Sequence, residues 1–74
     1  MNLYLLTRKP PNGYDQNLGH VIRARFENAA RILAANAALQ EGPDVWLSVD
    51  LEVELLARGV DGPEEIVLTD CING

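Results

Sequence analysis

The stretch Leu3–Arg25, LYLLTRKPPNGYDQNLGHVIRAR, decides how this chain folds. Two apolar runs, LYLLT at 3–7 and HVIRAR at 20–25, flank a segment rich in Gly, Asn and Pro. Leu3–Thr7 reads as a first strand. The Pro10-Pro11 pair stops it, because proline has no N–H to donate to a ladder. Asn12-Gly13 is a strong turn signal, since both residues accept positive φ. His20–Arg25 reads as a second strand, with His20, Ile22 and Ala24 on one face and Val21, Arg23 and Arg25 on the other. Two short strands joined this way favour an antiparallel hairpin. The segment Asn12–His20 is longer than a turn requires. It reads as a binding loop on a rigid sheet, with Tyr14 and Asp15 as contact residues.

Beyond the hairpin, the spacing predicts one helix over 27–40, ended by Gly42-Pro43. On a helical wheel Phe26, Ala29, Ile32, Leu33, Asn36 and Leu39 form one stripe, and most of the alanines fall on the other side. A buried Asn36 amide would need a backbone, partner or ligand hydrogen bond. Val45–Leu55 alternates with period two, with Val and Leu on one face and Trp46, Ser48, Asp50, Glu52 and Glu54 on the other. Extended, that run would reach about 36 Å, against a radius of gyration near 11 Å for a domain of this size. It is therefore expected to bend near Ser48–Asp50 or to project into a partner. Asp61–Pro63 is a turn, and Ile66–Ile72 a last strand. The order is β-β-α-β-β. The expected fold is a single α+β domain over 1–74, a mainly antiparallel sheet with one helix on one face. The expected core is Leu3, Leu5, Ile22, Phe26, Leu33, Val53, Leu55, Ile66 and Leu68.

A chain of 74 residues buries only about 60% of its unfolded surface, so its core is thin. One cysteine, Cys71, excludes an internal disulfide, and Cys71 with His20 falls short of the usual four ligands of a structural zinc site. Good packing or self-association is left, and a homodimer through the Trp46 run or through Ile32 and Leu39 is one expectation. No apolar run is long enough to span a bilayer, and the N-terminus lacks signal-peptide features. A cytoplasmic protein with no membrane partner is expected. Net charge is −5, unevenly spread: residues 1–31 carry +3 and residues 32–74 carry −8. This asymmetry is the most informative bulk feature, and direct nucleic-acid binding is not expected of it.

Enzymatic motifs are weak. Ser48 is the only serine and His20 the only histidine, without a nucleophile elbow around the serine. Cys71 near the end of an apolar strand reads as a small core residue. No phosphate-binding glycine loop is present. The sequence points to a non-enzymatic protein without catalytic residues, bound metal or cofactor.

LYLLT, then GYD at Gly13–Asp15, AR at Ala30-Arg31, Trp46 and the ING tail together resemble a family of small phage and prophage proteins. The resemblance spans nearly the whole chain through short motifs. The chain departs from that pattern at QNLGHVIRAR, which replaces a second acidic-aromatic step, and at Ile72, which replaces an aromatic. Small acidic phage proteins of this type include antagonists of bacterial defence, anti-CRISPR proteins and nucleotide sponges among them. The resemblance thus implies an anti-defence role. In one version Asp50, Glu52, Glu54, Glu64, Glu65 and Trp46 form an acidic face that binds a host defence protein. In the alternative Arg8, Tyr14, Asp15, Arg23, Arg25 and Arg31 bind an anionic nucleotide, since guanidinium forks suit phosphates. A phage accessory domain with no binding role beyond self-association is the third expectation.

Overall fold

The computed structural model describes residues 1–9 and 15–72. It is an α+β domain with the order β1 (Asn2–Thr7), β2 (Gln16–Ala24), α1 (Glu27–Asn36), α2 (Asp44–Leu47), β3 (Glu52–Ala57) and β4 (Glu65–Ile72). The four strands form one antiparallel sheet in the spatial order β3-β1-β2-β4. The antiparallel pairing is as expected, with Leu3 opposite Arg23, Leu5 opposite Val21 and Thr7 opposite Gly19. β2 starts at Gln16 and not at His20, however, so residues 16–20 of the expected binding loop are strand, paired with β4 as well as with β1. The Asn12-Gly13 turn and Tyr14 lie outside the described residues. Asp15, the first residue after them, has φ of 56°, a conformation that aspartate tolerates better than most residues.

The helix is shorter than its spacing predicts. α1 begins after an extended Phe26, gains a favourable Glu27 in its first turn and ends at Asn36. Other partners take over the hydrogen bonding beyond that point. Asn17 Nδ2 donates to Ala37 O, Gln40 N donates to Asp15 O and Leu39 N donates to the Glu41 carboxylate. The bonds with Asn17 and Asp15 are long-range and the Leu39–Glu41 bond is local, and together they take groups that would have continued the helix to Gln40.

The single strand expected over Val45–Leu55 is a correction. Asp44–Leu47 is a helical turn, 48–51 is a bend and only Glu52 onward is strand. The break does fall at Ser48–Asp50, where the length argument put a bend. Trp46 supplies the reason. As a strand residue facing outward it would leave a large indole in water, whereas the helical turn buries it completely, at 0% exposure. At some 25 cal/mol per Å², burying an aromatic ring outweighs the loss of two or three ladder bonds. Ser48 then closes the bend, its hydroxyl accepting from Asp50 N and its carbonyl from Leu51 N.

The core lies between the helices and one sheet face: Tyr4, Leu6, Ile22, Ala24, Ala30, Ala34, Trp46 and Leu51. Ile22 was correctly expected there, and Leu33, Val53 and Ile66 pack against its margin. Leu3 and Leu5 are half-buried on the opposite sheet face, and Tyr4 and Leu6 take the inner positions. In LYLL both period-two phases are apolar, so the run alone does not select one. Phe26 is 58% exposed, Leu68 66% and Leu55 40%, so none of the three is a core residue. On α1 the inner stripe is Ala30 and Ala34, and Ile32 and Asn36 are exposed. The small residues let the helix lie close to the sheet, and larger ones there would hold it off. Asn36, at the surface, needs no buried partner.

Candidate functional site

Two features stand out, one buried and one exposed. The buried one is a polar cluster under α2. His20, only 2% exposed, faces inward from β2 with its ring tilted against Trp46 at a centroid distance of 4.8 Å. Its Nδ1 lies 2.9 Å from the Thr69 hydroxyl on β4 in a hydrogen bond, while Nε2 is buried without a partner among the described residues. Burial holds the imidazole pKa below its ordinary value, against the opposing pull of the Glu41 charge. Glu41 in turn accepts from Trp46 Nε1 at 2.9 Å, Leu39 N at 3.0 Å and Asn17 N at 3.2 Å. Burial alone would raise its pKa, but these donors outweigh it and the carboxyl titrates below its usual range. Asn17, itself buried, completes the cluster through Ala37 O. His20 pairs with Thr69 rather than with Ser48 or Cys71, and the Ser48 hydroxyl is engaged by Asp50 N. Among the described residues no group of three His, Cys, Asp or Glu is placed to hold a metal ion. The cluster is built to hold the 37–46 segment against the sheet.

The sequence reading put His20 on its correct face but missed Glu41 and Asn17. Neither lies on a periodic stripe. Glu41 beside Gly42-Pro43 reads as part of a helix stop, and its tie to a tryptophan five residues on leaves no pattern in a linear chain.

The exposed feature is the outer face of the sheet. α1 packs on the inner side of β1, β2 and β4 and against α2, and no helix or strand among the described residues lies over the other side. The register aligns Glu54, Leu5, Val21 and Leu68 in one outward row and Glu52, Thr7, Gly19 and Asp70 in the next. Two grooves of about 340 Å³ each flank β1 on this face and share Leu5 and Thr7.

The residues expected to form an acidic face are divided by this topology. Asp50, Glu52 and Glu54 are together and exposed, leading into and along the edge strand β3. Glu64 and Glu65 lie at the start of β4, on the far edge of the sheet. Glu65 pairs with Arg23, and Glu64 accepts from Arg25 N at 3.0 Å. Trp46 is removed from the face altogether, since it is buried in the chain's own core.

The arginines do not converge either. Arg8 follows β1 at the loop end of the hairpin, its Nε donating to Asn17 O at 2.6 Å and its Nη2 to Gln16 Oε1 at 2.8 Å. Arg23 is at the opposite end, clamped by Glu65 and by Pro63 O. Gly62, with φ of 124°, passes so close that a Cβ there would lie 2.6 Å from this guanidinium. Arg31 is on the helix side, donating to Glu27 and to the carbonyls of Trp46 and Ser48, the last at 2.7 Å. It ties α1 to α2, a structural task. Arg25 is exposed just beyond β2. Asp15 is exposed at the start of β2, and Tyr14 lies outside the described residues.

The chain matches no family model, no curated protein and no solved structure. No described helix is long and apolar enough to cross a membrane.

Proposed function

We propose that this chain is a non-enzymatic binding protein of the small phage type, an antagonist of a bacterial defence protein acting in the host cytosol. It engages a basic surface of that protein through the acidic margin formed by Asp50, Glu52 and Glu54, and it needs no cofactor. One observation carries this reading. Glu52 and Glu54 stand exposed on an edge strand and pair with no cation among the described residues, although the chain holds arginines that ion-pair elsewhere. Unneutralised carboxylates in a row attract a basic surface and speed its encounter, with an effect that falls as salt rises. The alternative, a sponge for an anionic nucleotide, asks Arg8, Arg23, Arg25 and Arg31 to meet one ligand. Their dispersal over two ends and two faces of the sheet weighs against it.

The test is a plaquing assay on hosts carrying individual defence systems, with a phage sensitive to them. A system that the wild-type chain silences identifies the target. Glu52→Lys with Glu54→Lys is expected to restore immunity against that system, with unchanged circular dichroism. Full silencing by the double variant would refute the acidic-margin reading, as would loss of activity from Arg8→Ala alone.

A further inference from the structure

The outer sheet face is more than an acidic margin. Its centre is apolar: Leu5, Val21 and Leu68 stand side by side across β1, β2 and β4. Leu68 is the most exposed of the three, at 66%. The next row contains Gly19, which has no side chain, so a groove of about 340 Å³ opens over it between Leu5, Leu18, Val21 and Leu68. A Cβ on Gly19 would lie 3.0 Å from Leu6 O, so the floor of the groove cannot readily be filled from within. Carboxylates border the apolar centre on both sides. Glu52 and Glu54 stand on the β3 margin, and Asp70 on the β4 margin. Cations share the face as well: Arg23 is clamped by Glu65 and Pro63, and Arg8, at the loop end of the groove, donates to Asn17 O and Gln16 Oε1.

Leu5 and Val21 are half-buried and Leu68 stands mostly in water, an exposure from which a lone domain gains nothing. Charge selects what covers them. A second copy placed face to face would bring two sets of Glu52, Glu54 and Asp70 around one apolar patch, and like charges so juxtaposed oppose association. A partner carrying cations around an apolar side chain meets Glu52, Glu54 and Asp70 with opposite charge, provided that its cations keep clear of Arg8 at the loop end of the groove.

We propose that the outer face is the docking surface for a basic segment of a partner protein. The segment places an aliphatic or aromatic side chain in the groove over Gly19 and sets lysine or arginine against Glu52, Glu54 and Asp70. This rests on the acidic-margin reading above and adds to it an apolar anchor and a second acidic margin. Affinity comes from burying the anchor, and orientation and on-rate come from the flanking charges.

The test uses the full chain, isotope-labelled, titrated with three synthetic peptides followed by amide chemical shifts. One alternates Lys with Leu, one Lys with Ser and one Glu with Leu, all with blocked ends. The Lys–Leu peptide is expected to bind at least tenfold tighter than the other two, with shifts centred on Leu5, Val21 and Leu68. Leu68→Ser, a change at an exposed position that spares the fold, is expected to cut that affinity about tenfold, and Asp70→Lys to do the same. Equal binding of the Lys–Ser peptide overturns the apolar anchor. Shifts centred on Ile32 and Leu39 overturn the choice of face. A dimer at 150 mM salt that Leu68→Ser dissolves assigns the face to a second copy and overturns the proposal. Plaquing keeps the two readings apart. Loss of silencing in Glu52→Lys/Glu54→Lys but not in Leu68→Ser upholds the acidic margin and sinks the groove. Tight Lys–Leu binding with silencing untouched by either variant does the reverse.

Discussion

His20 is a neutral ring held where its charged form is poorly accommodated. The imidazolium carries an N–H on both nitrogens, and Nε2 is buried without an acceptor among the described residues. Because burial depresses its pKa, the unfolded chain takes up the proton first as pH falls. The stability owed to the neutral ring is complete above the ordinary imidazole value of 6.5 and is lost from there down to the folded pKa. The urea midpoint is therefore expected to drop between pH 7.5 and pH 5, and His20→Phe should flatten that slope. A midpoint that rises toward pH 5 would contradict this account. Glu41 titrates lower, so its contribution persists through that window and fades only in stronger acid. Its role is tested by Glu41→Gln, which keeps the volume but replaces a charged acceptor of three donors. A loss of about 1–3 kcal/mol is expected in urea unfolding at pH 7, with a change in tryptophan fluorescence because the indole N–H bonds that carboxylate.

α1 and α2 are held by different physics from one another. The fully buried residues of α1 are alanines, with Leu33 at the margin, so its close approach is the stabilising feature. Ala34→Leu is expected to cost about 1–3 kcal/mol by overpacking, although leucine is as good a helix former as any larger residue. Ile32→Ala, on the exposed side, should cost under about 0.5 kcal/mol in the same unfolding experiment. The reverse ranking would mean that the helix is rotated from the position described. α2 is a four-residue turn with too few internal hydrogen bonds to persist alone. Trp46 anchors it, and Arg31 clamps its C-terminal carbonyls. Arg31→Met keeps the apolar stem and removes the clamp. It should lower stability by about 1–3 kcal/mol and raise amide exchange at 46–51 first.

The molecule as a whole is thin, with Cα extents of 35 × 23 × 18 Å and a radius of gyration of 11.6 Å. One helical layer on one sheet face leaves the second face to solvent, and the net charge of −5 opposes closing that face with another copy. Self-association should therefore depend on salt. Sedimentation equilibrium at tens of micromolar is expected to return the 8.1 kDa species at 150 mM salt. At 1 M salt, where screening acts within about 3 Å, a heavier species should appear, and Leu68→Ser should suppress it. A dimer already present at low salt would show that charge does not govern this face.

The early start of β2 at Gln16 was not legible in the linear sequence, whereas the pairing of the hairpin strands, the helix start, the last strand and the α+β class were. Each rests on local signals: turn residues, proline stops and the two periodicities of the backbone. The acidic margin was half legible, because alternation along one strand puts Glu52 and Glu54 on the same side whatever the strand packs against. Three further things awaited the assembled chain. The phase of LYLL came from its pairing with His20, Ile22 and Ala24, since apolar residues occupy both phases. The fate of Trp46 came from a cavity that exists only once α1 lies on the sheet, and filling that cavity overrode the alternation of 45–55. The separation of Glu64 and Glu65 from Glu52 and Glu54 came from strand order, which places β3 and β4 on opposite edges with β1 and β2 between them. In each case the deciding interaction joins residues distant in sequence, and a local pattern carries no record of it.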